Sequence, residues 1–209
     1  MSKATRHPAI PSPSRRFRKP ASAILALLFI AVLITTQPPY YGWWSFAMQA
    51  AGLLLVVAGT FGRLWCALYI AGYKDSVLRV DGPYSICRNP LYFFSFLGLV
   101  GIMLYSQIWL MAVIAGVLFK IYYHFVIRAE QKVLQGGFGE TYGDYLKKTP
   151  CFFPKLSLYH SAKEITVQPA KVLGVAKDVV WFFIALIGIA IINKLHICGA
   201  LPMYWTWPI

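Results

Sequence analysis

Acidic side chains are scarce in this chain. Seven Asp and Glu stand against 20 Lys and Arg, and both signs together supply only 13% of 209 residues. A soluble domain of this size carries roughly twice that charged fraction, so a water-exposed globule is excluded. Cysteine is sparse too. Cys66, Cys87, Cys151 and Cys198 form no CxxC pair and no ligand-like spacing with the four histidines, which argues against a zinc site. Two of the cysteines fall in segments read below as cytosolic, where thiols stay reduced, which argues against disulfides. What the chain has in place of charge is apolar surface: 58% hydrophobic residues and a mean hydropathy of +0.59. These values describe one integral membrane domain. The formal net charge of +13 is segregated along the chain, so anionic lipid headgroups fit it better than nucleic acid does.

Five apolar runs read as membrane spans, near residues 21–35, 46–70, 91–105, 108–126 and 179–192; the first is short, and the second is long enough to span with tilt. The first follows a basic, proline-rich tail and lacks a small-x-small cleavage site, so it reads as a retained helix and not as a signal peptide. Tyr40, Tyr41, Trp43 and Trp44 supply an aromatic belt beyond it. Ser106-Gln107 reads as the turn of a tight helical hairpin. The division is therefore a tail over 1–20, a single membrane domain over 21–200 and a short tail over 201–209. An all-α fold is expected. Nearly all Lys and Arg outside the runs fall on one side when the N-terminus is cytosolic, leaving Lys194 near the other. Five spans then send the C-terminus across. A bacterial inner membrane and an endoplasmic reticulum fit equally well.

Two polar stretches at the edges of these runs are candidates for chemistry, because polar groups there are costly unless something satisfies them. The first is Gly82-Pro83-Tyr84 leading into Arg88-Asn89-Pro90-Leu91-Tyr92. Gly82-Pro83 signals a turn, and Pro90 suits the first position of a helix whose free N–H groups favour an anion. The second stretch begins where the fourth helix extends beyond the bilayer. Tyr123, Ile127, Glu130 and Leu134 share one face there, with Lys120, His124, Arg128 and Gln131 beside it. Glu130 is the acid of that helix end, where the macrodipole calls for a cationic partner or ligand. Gly136-Gly137 is expected to stop the helix. Tyr142 and Tyr145 then sit on a short helix, suited to a packed lid or a cage for a cation. Taken singly, each of these residues also has a plain structural reading as a cap, a snorkelling cation or a packed ring.

Together the order and spacing are more specific. Gly-Pro-Tyr, Arg-Asn-Pro-Leu-Tyr, a hairpin, Glu130-Gln131 with Leu134, then Phe138-Gly139 with Tyr142 and Tyr145 resemble the membrane methyltransferases that include isoprenylcysteine carboxyl methyltransferase and phospholipid methyltransferases. The resemblance runs over roughly residues 59–154 and includes Gly62-Arg63. It implies S-adenosylmethionine as methyl donor, a lipophilic acceptor arriving from the bilayer, and no metal. By matching positions it implies a cofactor pocket formed by Tyr84, Asn89, Pro90, Leu91, Tyr92 and Glu130. The backbone of Ser76, Val77, Leu78 and Arg79 would add to that pocket. Three positions depart from the family pattern. Asn89 replaces a histidine and cannot carry a proton. Gln131 replaces a second glutamate. Val126 stands where the isoprenylcysteine enzymes have a substrate-binding arginine, a role Arg128 could take over. Glu130, Arg128 and Asn89 are thus the catalytic candidates, with carboxyl O-methylation of an isoprenylcysteine-like acceptor favoured over phospholipid N-methylation. Two rival readings are an NADPH-dependent sterol-type reductase, whose membrane domain shares an Arg-x-Pro-x-Tyr turn, and a non-enzymatic membrane subunit.

Overall fold

A computed structural model of the protein describes residues 14–37, 42–72, 77–201 and 204–206. Tyr40, Tyr41 and Ser76 lie outside the described residues. The chain is all-α apart from one two-residue strand pair. Its long helices are α1 (Ser14–Thr35), α2 (Trp43–Ile70), α4 (Pro90–Tyr105), α5 (Trp109–Lys148) and α6 (Pro169–Ile197), with a single turn, α3 (Pro83–Ile86), before α4. α2, α5 and α6 are long and apolar enough to cross a membrane, and residues 23–35 of α1 and the whole of α4 are shorter apolar helices. The protein is an integral membrane protein. β1 (Thr36–Gln37) pairs in parallel with β2 (Trp205–Thr206), tying the end of α1 to the C-terminal tail.

The bundle is organised by the contact of α2 with α4, the most extensive in the molecule. Glycines permit it. A Cβ on Gly52 would stand 2.6 Å from the Gly101 carbonyl oxygen, and one on Gly59 would stand 2.7 Å from the Phe94 carbonyl oxygen. Without a hydrophobic drive inside lipid, helices associate by such close backbone packing. At the end away from α3, Leu33, Val56, Ile102, Ile108, Leu186 and Ile189 form one apolar core that joins α1, α2, α4, α5 and α6. The α4–α5 turn is the expected Ser106-Gln107 pair. Gln107 takes a positive φ of 65°, and its buried amide accepts a hydrogen bond from the Ser45 hydroxyl of α2.

Several boundaries differ from the sequence reading: α1 already begins at Ser14, inside the expected tail, and α5 and α6 depart as follows. Helix α5 runs straight through Gly136-Gly137 and breaks at Gly139, whose φ of 52° and ψ of −126° suit only glycine. A glycine inside a helix costs only about 1 kcal/mol relative to alanine, so two of them do not end one. The second piece of α5 then runs to Lys148. Helix α6 starts ten residues before the expected Val179, because Pro169 is well placed at a helix start. The good helix formers after it continue the helix despite their polarity. Replacing Gly101 with alanine is expected to lower the melting temperature of the detergent-solubilised protein by the equivalent of about 1–3 kcal/mol of overpacking. Gly116→Ala, whose new methyl would meet only the Phe96 ring at 3.7 Å, is expected to leave it unchanged or raise it.

Candidate active site

Gly82 adopts φ 58° and ψ −127°, closed to residues with a Cβ, and this turns the chain into α3. The turn is fastened by Ser85, whose N–H and hydroxyl both donate to the Gly82 carbonyl at 3.1 and 2.7 Å. Beyond α3, residues 86–89 are laced to the segment that follows α5. The Arg88 N–H donates to the Pro150 carbonyl at 2.9 Å, and the Lys155 N–H to the Ile86 carbonyl at 2.9 Å. The Asn89 side-chain amide donates to the Cys151 carbonyl at 2.8 Å, and the Cys87 thiol to the Phe152 carbonyl at 2.9 Å. No side chain caps the start of α4; the Asn89 side chain instead donates from Nδ2 to the lacing segment. The second piece of α5 is fixed to α3 by the Tyr145 hydroxyl, which donates to the Tyr84 carbonyl at 2.7 Å.

These ties frame an open cleft between α3, the first turn of α4 and the far half of α5. Tyr84, Asn89, Pro90, Leu91, Tyr92 and Glu130 all line it. So do Val77, Leu78 and Arg79, with Arg88, Gln131, Leu134 and the Tyr142–Tyr145 pair completing the wall. Glu130 and Tyr92 are bonded across α4 and α5, the Tyr92 hydroxyl donating to Oε1 at 2.8 Å. The Tyr92 ring lies 4.6 Å from that of Tyr123. The Tyr84 hydroxyl is buried in the cleft wall and has no hydrogen-bond partner among the described residues.

Arg128 does not join them. It is exposed and outside the cleft lining, because a position two residues before Glu130 is turned about 200° around the helix. Lys120 and His124 are likewise exposed. Val126 is buried against Tyr92, Phe119 and Ile127, so no cation enters the cleft from that turn of α5. Sequence reasoning missed Ile70, which brings the end of α2 to the cleft, and the lacing segment. The signal for the latter was the aromatic run Phe152-Phe153 beside Cys151. Among the described residues, no three His, Cys, Asp or Glu side chains stand together as a metal site.

Burial pushes the phenols of Tyr84, Tyr142 and Tyr145 upward. All three stay neutral donors at physiological pH. Burial also pushes the Cys87 thiol up to about 12, against a smaller downward pull from the Asn89 N–H. A thiol held that high is not a nucleophile at neutral pH.

The chain is 38% identical over 182 residues to the nickel-cobalt-cadmium resistance protein NccN of Alcaligenes xylosoxydans xylosoxydans, covering 84% of this chain and 85% of that one. It is 36% identical over 179 residues to the cobalt-zinc-cadmium resistance protein CzcN of Cupriavidus metallidurans, covering 85% and 82%. A phospholipid methyltransferase family model matches residues 47–141. The chain belongs to the phospholipid methyltransferase family. The matched region carries both sides of the cleft, from α2 to just past Gly139, while the lacing residues 150–155 lie beyond it. No solved structure matches the chain.

The Cys87 thiol favours its protonated form in the folded state. Its contribution to stability is therefore complete below the ordinary thiol value of 9.0 and is lost as pH rises toward about 12. At pH 8, iodoacetamide is expected to modify the exposed Cys198 and spare Cys87, read by peptide mass spectrometry. Asn89→Ala, which removes a side chain–backbone bond worth about 1 kcal/mol, is expected to speed Cys87 labelling and lower the melting temperature.

Proposed function

We propose that this protein transfers a methyl group from S-adenosylmethionine to a lipid-borne acceptor at the cytosolic face of the membrane. The observation that carries the reading is the meeting of the Asn89 turn and the Glu130 end of α5 in one cleft. The residues there fit the donor. The Tyr84 hydroxyl is a buried donor with no hydrogen-bond partner among the described residues. The Glu130 carboxylate, oriented by Tyr92, can accept bonds from ribose hydroxyls or an ammonium group. The faces of Tyr92, Tyr142 and Tyr145 suit a sulfonium cation. Bound there, the donor supplies an electrophilic methyl group that leaves its sulfur by direct displacement. Arg79 and Arg88 add positive charge on the same wall.

The work left to the protein is to hold two reactants in line and to exclude water. A carboxylate acceptor needs no base. An amine must first lose a proton, and the cleft offers little to take one: Asn89 carries no proton and its amide is engaged, while the phenols and the Cys87 thiol are already protonated. The chemistry therefore favours carboxyl O-methylation of an isoprenylcysteine-like acceptor. Phospholipid N-methylation is the second reading. It is favoured by the family match, and Glu130 is the one available base for it. Esterifying a membrane carboxylate would also remove an oxygen ligand for divalent cations, which would connect this chemistry with the resistance for which the relatives are named.

Adenosylhomocysteine is expected to raise the melting temperature of the purified protein and NADPH to leave it unchanged; the reverse pattern would favour the reductase reading. Glu130→Gln is expected to weaken adenosylhomocysteine binding about tenfold or more, the effect of losing charge-assisted bonds. Transfer of labelled methyl to a farnesylcysteine analogue, compared with phosphatidylethanolamine, decides between O- and N-methylation. Absence of transfer to any lipid fraction, together with no adenosylhomocysteine binding, overturns the proposal.

A further inference from the structure

Arg63 lies inside the apolar helix α2, seven residues before its end at Ile70, about 10 Å below the cleft end of the helix. A guanidinium at that depth is costly and ordinarily marks a function. Its compensation here is incomplete. One amino group donates to the Ser95 hydroxyl of α4. The other faces Asp178 of α6 at 3.9 Å, the limit of an ion pair, and the Asp178 side chain is 68% exposed. The Phe182 ring stands 5.9 Å from the guanidinium carbon, and Nε has no hydrogen-bond partner among the described residues. An ion pair built to fasten two helices in lipid would be bidentate and enclosed. This one is long and single-pointed, with a carboxylate that turns mostly outward.

The position also communicates with the cleft. The Ser95 hydroxyl donates to the Leu91 carbonyl at 2.6 Å, and the Leu91 side chain lines the cleft. The Ser95 hydroxyl that Arg63 reaches is thus about one turn of α4 from Leu91 in the cleft wall. Glycines keep its surroundings open to two rings. A Cβ at Gly62 would collide with the Phe94 ring and one at Gly98 with the Phe182 ring.

We infer that Arg63 is a binding site for the anionic group of a lipid, a carboxylate or a phosphodiester, that approaches laterally at the α2–α6 seam. Asp178 is its exchangeable placeholder. The lipid's naming as the methyl acceptor rests on the methyltransferase reading; the binding itself does not. The site also supplies the cation that Val126 and the outward Arg128 do not bring to this part of the molecule.

The test uses the full chain in lipid nanodiscs with spin-labelled stearate, phosphatidylglycerol and phosphatidylcholine as probes. The wild type is expected to retain an anionic probe in preference to phosphatidylcholine. Arg63→Gln is expected to reduce that preference about tenfold or more, Arg63→Lys to keep part of it, and Asp178→Asn to increase it. Preference for stearate identifies a carboxylate source, preference for phosphatidylglycerol a phosphodiester, and either supports the site. An unchanged preference in Arg63→Gln overturns it. So does a loss of preference and of thermal stability together in Asp178→Asn, which is what a mere helix fastener would give. Should Arg63→Gln fail to fold, the opposite signs of Arg63→Lys and Asp178→Asn carry the test. Adenosylhomocysteine thermal shift on the same samples keeps the two ideas separate: a wild type that ignores it sinks the cofactor reading and leaves the lipid result standing.

Discussion

The lacing of residues 86–89 to residues 150–155 is the constraint on which the rest of the site depends. Four hydrogen bonds, two between backbones and two from the side chains of Cys87 and Asn89, hold the start of α4 against the segment after α5. Each satisfies a polar group near an apolar environment, where an unmade bond costs about 1–3 kcal/mol. With this segment fixed, the Gly139 break can fold the last piece of α5 back over the cleft. The Tyr145 bond to the Tyr84 carbonyl then closes the arrangement. The Tyr92–Glu130 bond across the cleft presupposes it.

The scarcity of acid gives each carboxylate a readable place. Glu130 is bonded at the cleft, and Asp178 stands opposite an arginine within the span. Asp144 meets Lys147 at 3.2 Å with both side chains exposed, a surface pair that contributes little. The same economy explains why Arg63 matters. In a bundle held together by glycine contacts and apolar packing, a charged group inside a span is costly unless it is paired or hydrogen-bonded. Its loose coordination is what motivates the anion-binding proposal.

How legible this was depended on the range of the interaction involved. The hairpin turn at Ser106-Gln107 and the helix start at Pro90 followed from local rules, since proline and the break in hydropathy act within a few residues. Gly136 misled for the same reason. A local rule sees three glycines as equivalent stop signals, whereas only Gly139 is required by the packing of Tyr142 and Tyr145 to leave helical geometry. Arg128 misled because the missing cation was sought along one helix. A turn of 200° sets it on the outer face, while Arg63 approaches from a different helix.

The sequence by itself determined the membrane class, the apolar helices and the two polar stretches, because hydropathy and turn chemistry are encoded residue by residue. It also fixed the relationship to the methyltransferases, carried by motif order. Only the tertiary structure decided that both stretches share one cleft, that Asn89 spends its amide on the Cys151 carbonyl and that Arg63 reaches the Ser95 hydroxyl of α4. Those relations join residues tens of positions apart. They arise from the close α2–α4 crossing and the lacing beyond α5, and no local pattern in the chain specifies either.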